Sequence, residues 1–126
     1  MAEEIFGKLF TKEEADKEFG PVIISKEVKT SVLNDLISKS ESVLMFKIID
    51  DSPVILGNGR VSLFPDVTVK ISGSEVFHMF SISVIKELLA AGGNEVTYIE
   101  QREKHLTVTN GVTTMEFSGD CPPNCG

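Results

Sequence analysis

The chain has 126 residues, of which 41% are hydrophobic and 25% charged. That is the composition of a folded domain, not of a disordered, collagen-like or coiled-coil chain. Lys and Arg number 12 against 19 Asp and Glu, a net charge of −7. With no basic arm, this argues against phosphate-driven binding to nucleic acid, which needs clustered Lys and Arg.

At this length one core over 1–126 is expected to form without metals or disulfides. No apolar run approaches the roughly 18 residues of a membrane span. Met1-Ala2-Glu3-Glu4 sets acids where a secretory leader is basic. A soluble, cytoplasmic protein with no membrane contact is expected.

Residues 1–20 read as an appended segment. Ile5, Phe6, Leu9 and Phe10 form an apolar group. Thr11, with Glu14 three residues on, makes a capping box for a helix over Lys12–Phe19. Gly20 and Pro21 stop it. The segment is expected to dock on the core; the competing reading is a partner-binding arm.

Val22-Ile23-Ile24 opens a short β-branched strand. Ser31 then caps a helix over 31–39 whose apolar face is Val32, Leu33, Leu36 and Ile37. Val43–Ile49 reads as a strand, with Leu44, Phe46 and Ile48 on one side. Asp50-Asp51-Ser52-Pro53 is a turn. Val54–Leu56 and Val61–Leu63 flank Gly57-Asn58-Gly59, a hairpin signal. Val67, Val69 and Ile71 alternate as a further strand.

The pattern then recurs. Val76–Phe80 is a strand, and Ser83 caps a helix over 83–91 with Val84, Ile85, Leu88 and Leu89 on its apolar face. Gly92-Gly93 stops that helix. Glu95–Gln101 is a strand with Val96 and Tyr98 on one side. Leu106–Thr109 and Val112–Phe117 flank Asn110-Gly111, the strongest short hairpin signal.

A shift of 52 residues superposes the two stretches without a gap: Ser31 falls on Ser83, Leu36 on Leu88, Leu44 and Phe46 on Val96 and Tyr98, Val54 and Leu56 on Leu106 and Val108, and Asn58-Gly59 on Asn110-Gly111. Agreement in apolar phase, cap and turn together marks an internal repeat. The division is an N-terminal segment 1–20, a first repeat 22–72, a second repeat 75–117 and a Cys-containing tail 118–126. The expected fold is α+β. Each unit runs β-α-β-β-β, and two adjacent helices pack on an antiparallel sheet of eight or more strands, with a short N-terminal helix besides.

Phe80–Leu89 is similar to the strand-into-helix passage of a DNA sliding clamp domain, and Glu95–Phe117 resembles the meander that follows it there. The resemblance to this processivity-factor family spans about residues 22–117 and lies in pattern and order. It implies the clamp domain fold; clamp rings contain six such domains from two or three longer chains, so a ring of this chain would need six copies. The family lines its channel with helical Lys and Arg. Here the first helix region offers Lys26, Lys29 and Lys39, and the second only Lys86 beside Glu87. DNA binding is therefore expected to be weak or absent, and no binding residue is carried over.

Catalytic signatures are missing. Gly57-Asn58-Gly59 lacks the Lys-Ser/Thr of a phosphate loop, and there is no Gly-x-Ser-x-Gly elbow. His78 and His105 fall on strands, and Asp50-Asp51 in a turn. Cys121 and Cys125 are spaced to hold a soft metal such as zinc. A closed site would need further ligands, from another subunit or from His78 or His105. A redox dithiol and a plain chain end are the other readings of this tail.

The reading favoured is a non-enzymatic binding and assembly module with a clamp-like duplicated fold, acting by self-association or protein docking. The alternatives are a thiol or metal protein using Cys121 and Cys125, and a small enzyme with a pocket between the units. The hairpin strands 60–64 and 112–117 are the expected open sheet edges, and open edges template pairing with another chain. A homo-oligomer follows unless residues 1–20 or the tail cover them.

Overall fold

The computed structural model describes residues 5–64, 75–91, 95–116 and 118–121. The expected strand at Val67–Ile71 and the Gly92-Gly93 stop lie outside these residues. In chain order the described elements are β1 (Lys8–Thr11), α1 (Lys12–Phe19), β2 (Val22–Lys29), α2 (Thr30–Ser38), β3 (Val43–Ile49) and β4 (Ser52–Gly57). A 3-10 turn (Asn58–Arg60) leads to β5 (Val61–Phe64), then β6 (Phe77–Ser81), α3 (Ile82–Ala90), β7 (Val96–Arg102), β8 (Leu106–Thr109), β9 (Thr113–Glu116) and β10 (Gly119–Cys121).

The fold is α+β, but the strands do not make one broad sheet. They divide into two five-stranded sheets, β1-β9-β8-β7-β2 and β10-β6-β3-β4-β5, with every pairing antiparallel. Each sheet takes a strand from the other half of the chain: β2 joins β7, and β6 joins β3.

Strands β2 and β6 run straight into helices, and this displaces the expected caps. The helices begin at Thr30 and Ile82, the N-caps are Lys29 and Ser81, and neither makes a side-chain capping bond. Ser31 and Ser83 are exposed in the first turns. The helix amides find other acceptors. Thr30 N–H donates to Glu95 O at 2.8 Å, and Ile82 N–H donates to Ser42 O at 2.8 Å. A carbonyl just ahead of β7 or β3 thus does for each helix what a serine hydroxyl was expected to do.

The main core lies between the sheets and the helices. Leu33 and Leu36 of α2 and Val84, Ile85 and Leu88 of α3 share one apolar cluster with Leu44, Phe46, Ile55, Phe80, Ile99, Leu106, Val108 and Met115. Phe46 and Phe80 meet edge-on, with ring centroids 5.8 Å apart. A second cluster, Val43, Met45, Val54, Leu56, Phe77 and Met79 with Phe6 and Ile49 against it, lies on the opposite face of the second sheet.

The gapless 52-residue match fails inside the meanders. Phe46 pairs with Ile55, and Ile99 pairs with Val108, so these strands correspond at a shift of 53. A one-residue slip turns every side chain to the other face. Thr97 and Ile99 therefore face the core, and Val96 and Tyr98, the expected matches of Leu44 and Phe46, face outward. Thr97 is tolerated there because its hydroxyl lies 2.9 Å from that of Thr30. Five residues separate α3 from β7 where four separate α2 from β3. The β8–β9 connection is shorter to match, since Gly57 pairs with Val61 directly, while Asn110 N–H bonds Thr113 O across a two-residue turn.

Candidate association surface

The N-terminal segment docks as expected, and it covers one of the two edges that were expected to be open. Strand β1 pairs with β9 from Lys8↔Glu116 to Thr11↔Thr113. Of the edge expected at 112–117, Thr113–Glu116 is thus closed by the chain itself, an outcome of long-range pairing that hairpin patterning does not report. The strap begins further back. Phe6 N–H donates to Ser81 Oγ and Ser81 N–H to Phe6 O, both at 2.8 Å. Gly7, at φ +119, is packed so closely on Phe80 and Val84 that a β-carbon would crowd both.

Helix α1 then lies on the outer face of the first sheet. Its capping box is complete: Glu14 N–H donates to Thr11 Oγ1 at 3.1 Å, and Thr11 N–H donates to Glu14 Oε1 at 2.9 Å. The backbone bond from Thr11, and then its hydroxyl bond, hold the Glu14 carboxyl below its ordinary range. Only Ala15 and Phe19 of the helix are buried, so burial of apolar area alone does not hold it. Arg102, 1% exposed, supplies the rest. Its Nη1 donates to Asp16 Oδ1 at 3.1 Å, to Ala15 O at 3.3 Å and to Gly20 O, and its Nε donates to Thr107 Oγ1 at 3.1 Å. Glu100 Oε1 lies 3.5 Å from Nη2. A guanidinium among the carbonyls that end a helix also complements the helix dipole. Phe19 packs on Phe10 and on the His105 ring, with centroids 5.3 and 4.7 Å away. His105 Nδ1 in turn lies 2.7 Å from Glu116 Oε2.

Four strands end the sheets among the described residues: β1 and β2 in the first, β10 and β5 in the second. Strand β5, expected as an edge from 60–64, is the last strand of its sheet, with Val61 57% exposed. Strand β2 ends the other sheet. It is the longest strand described, and it shows Val22, Ile23 and Ile24 to solvent. Nothing in the sequence reading singled out β2 or Arg102. Three consecutive β-branched residues after a proline were the available signal for the first. A lone Arg between Gln101 and Glu103 reads as surface.

The remaining candidates are not brought together. Cys121 lies on β10, in register with Phe77, and Asp120 with His78; Cys125 lies outside the described residues. No group of three or more His, Cys, Asp or Glu suited to a metal occurs among the described residues. His78 Nδ1 lies 3.4 Å from Ser118 Oγ, and Ser118 N–H donates at 3.3 Å to Oε1 of Glu116, the carboxylate whose Oε2 lies against His105 Nδ1. Asp50 and Asp51 sit in the β3–β4 turn with φ of 49° and 64°, and Asp51 Oδ1 takes Lys26 Nζ at 2.8 Å.

Among the described residues, two open depressions are lined as follows. One, of about 730 Å³, lies beside α1, lined by Lys12, Asp16, Ser25, Tyr98, Glu100 and Arg102 among others; both of its acids are engaged by Arg102. The other, of about 620 Å³, lies between residues 39–42 and the β4–β5 turn. There Asn58 Oδ1 accepts from Ser40 Oγ and from the amides of Ser42 and Val43, at 2.8, 2.9 and 3.1 Å, a tie between turn and loop. No helix among the described residues is long and apolar enough to cross a membrane. No protein-family model, curated protein or solved structure matches the chain.

Proposed function

We propose that this chain is a non-enzymatic assembly module, a duplicated domain of DNA-clamp type that associates with itself through the second sheet. The carrying observation is that β5 has no strand on its outer side among the described residues, whereas β9, read as its counterpart, is paired with β1. Duplication is supported by the element order strand, helix, strand, strand, strand, which occurs over β2–β5 and again over β6–β9. It is supported too by the matching bonds of Thr30 and Ile82 to the opposite half.

The second sheet ends in β10 on one side and β5 on the other. Setting β5 of one copy beside β10 of the next is a head-to-tail contact, which closes into a ring or runs on as a filament. The helices offer duplex DNA little. Lys29, Lys39 and Lys86 are exposed there beside Asp35 and Glu87, and Lys39 Nζ is already 3.1 Å from Asp35 Oδ2. Retention on duplex DNA at physiological salt is expected to be weak or absent.

Light scattering at micromolar concentration, with reductant and chelator present, tests the reading. The expected mass is a multiple of 13.8 kDa that falls to the monomer in Val61→Lys, a charge set on the open edge. A wild-type monomer overturns it. An oligomer lost only on adding reductant or chelator transfers the contact to Cys121 and Cys125, and with it the function to thiol or metal chemistry.

A further inference from the structure

We propose that the free edge of β2 is a strand-addition site for an extended segment of a partner protein. The segment runs antiparallel to β2, with an acid opposite Lys29, a base opposite Glu27 and a β-branched residue opposite Ile24, short of the irregularity between Val22 and Ile24. The site belongs to the first sheet and is independent of contacts through β5.

The backbone phase of the edge follows from one bond. Thr30 N–H donates to Glu95 O, and bonded positions alternate along an antiparallel ladder. Val28 and Lys26 therefore turn their backbone groups to β7, in register with Thr97 and Ile99, and Ser25, Glu27 and Lys29 turn theirs outward. The other half of the molecule shows what such an edge takes. By the same phase, β6 turns Phe77, Met79 and Ser81 outward. Ser81 N–H is taken by Phe6 O, and Phe77 and Met79 stand in register with Cys121 and Gly119 of β10. The outward groups of β6 are thus met by extended backbone, while the matching groups of Ser25, Glu27 and Lys29 have no strand beside them among the described residues.

Side chains along the edge set the occupant's chemistry. Ile23 is 63% exposed, with Val22 at 36% and Ile24 at 37%, which suits β-branched neighbours on an added strand. Lys29 and Glu27 are exposed and form no ion pair among the described residues, where Lys26 is engaged by Asp51. An occupant with opposite charges at these two places gains cross-strand pairs, and one with matching charges is repelled. Main-chain bonds give such a contact its affinity, and alternate side chains give it selectivity.

The probe is a fluorescent eight-residue peptide, Asp-Val-Lys-Val-Thr-Val-Thr-Val, titrated against the full chain and read by anisotropy. Saturable binding is expected. It should weaken at least tenfold when the peptide is N-methylated at its third and fifth residues, which face Glu27 and Ser25, and when its Asp and Lys are exchanged. Ile23→Lys, a change at an exposed side chain, should weaken it comparably, and Val61→Lys should leave it unchanged. No binding by the unmodified peptide, or equal binding by the N-methylated one, overturns the proposal. A wild-type dimer that Ile23→Lys converts to monomer also overturns it, in favour of a second copy on this edge.

Discussion

The outer faces of the two sheets are built from opposite chemistry on the same strand order. On the second sheet, Val43, Met45, Val54, Leu56, Phe77 and Met79 make a buried apolar layer. On the first, the buried outward residues are Arg102, Thr107, Thr109, Thr114 and Glu116. The sheet architecture therefore does not dictate an apolar outer face; what lies on the face does. A short helix that buries only Ala15 and Phe19 gains little from area and must be held by directional bonds, and Arg102 provides them. Apolar layers tolerate small rotations of what covers them, whereas the five groups around Arg102 define one seat for α1.

The contrast is open to attack from both sides. Phe77→Ala should cost the most, about 3–5 kcal/mol in urea unfolding, the usual range for a buried Phe. It should lower global stability without selectively freeing α1. Arg102→Ala should cost about 1–3 kcal/mol, because the carbonyls of Ala15 and Gly20 lose a buried donor. Its signature differs from that of Phe77→Ala: limited proteolysis should cut within Lys12–Phe19 while strands β3, β6, β7 and β8 stay protected. If the two variants show the same proteolytic pattern, the faces do not differ as argued here.

Thr11→Ala should cost about 1 kcal/mol, the typical value of an N-cap, measured as a reduced urea midpoint with an unchanged slope. The smallest effect is with pH. Glu14 has a folded pKa below its ordinary value of 4.5. Its contribution is present in full above the unfolded value and is lost as pH falls through the lower folded value. Helix α1 should loosen at acid pH in the wild type, and Glu14→Gln should remove that component. An unchanged acid limb in Glu14→Gln would detach the capping box from docking of the arm.

Local signals were legible in the sequence and long-range ones were not. The Thr11–Glu14 box, the Gly20-Pro21 stop and the apolar faces of α2 and α3 each depend on neighbours three or four residues away, and all are present in the structure. The β7 faces were misread because Val96 and Tyr98 are as good a strand face as Thr97 and Ile99. Only the Thr30 hydroxyl, 67 residues distant, makes the threonine a core residue. Closure of the β9 edge by β1 and the burial of Arg102 under α1 depend on partners about a hundred residues apart in sequence, beyond any periodicity. The β5 edge, open among the described residues, follows from its hairpin alone, whereas the run Val22–Ile24 has the pattern of any buried strand and gives no sign of an edge at β2.

The crossing of β2 and β6 between the halves interlocks the chain. Neither half owns a complete sheet: residues 22–64 lack the strand that flanks β3, and residues 77–116 lack the one that flanks β7. Folding must therefore close long loops before either core is sealed, which makes for slow, strongly cooperative assembly. By the same geometry, hydrolysis of a peptide bond between Phe64 and Glu75 would leave two fragments that still hold each other, a nicked protein that falls apart only when it denatures.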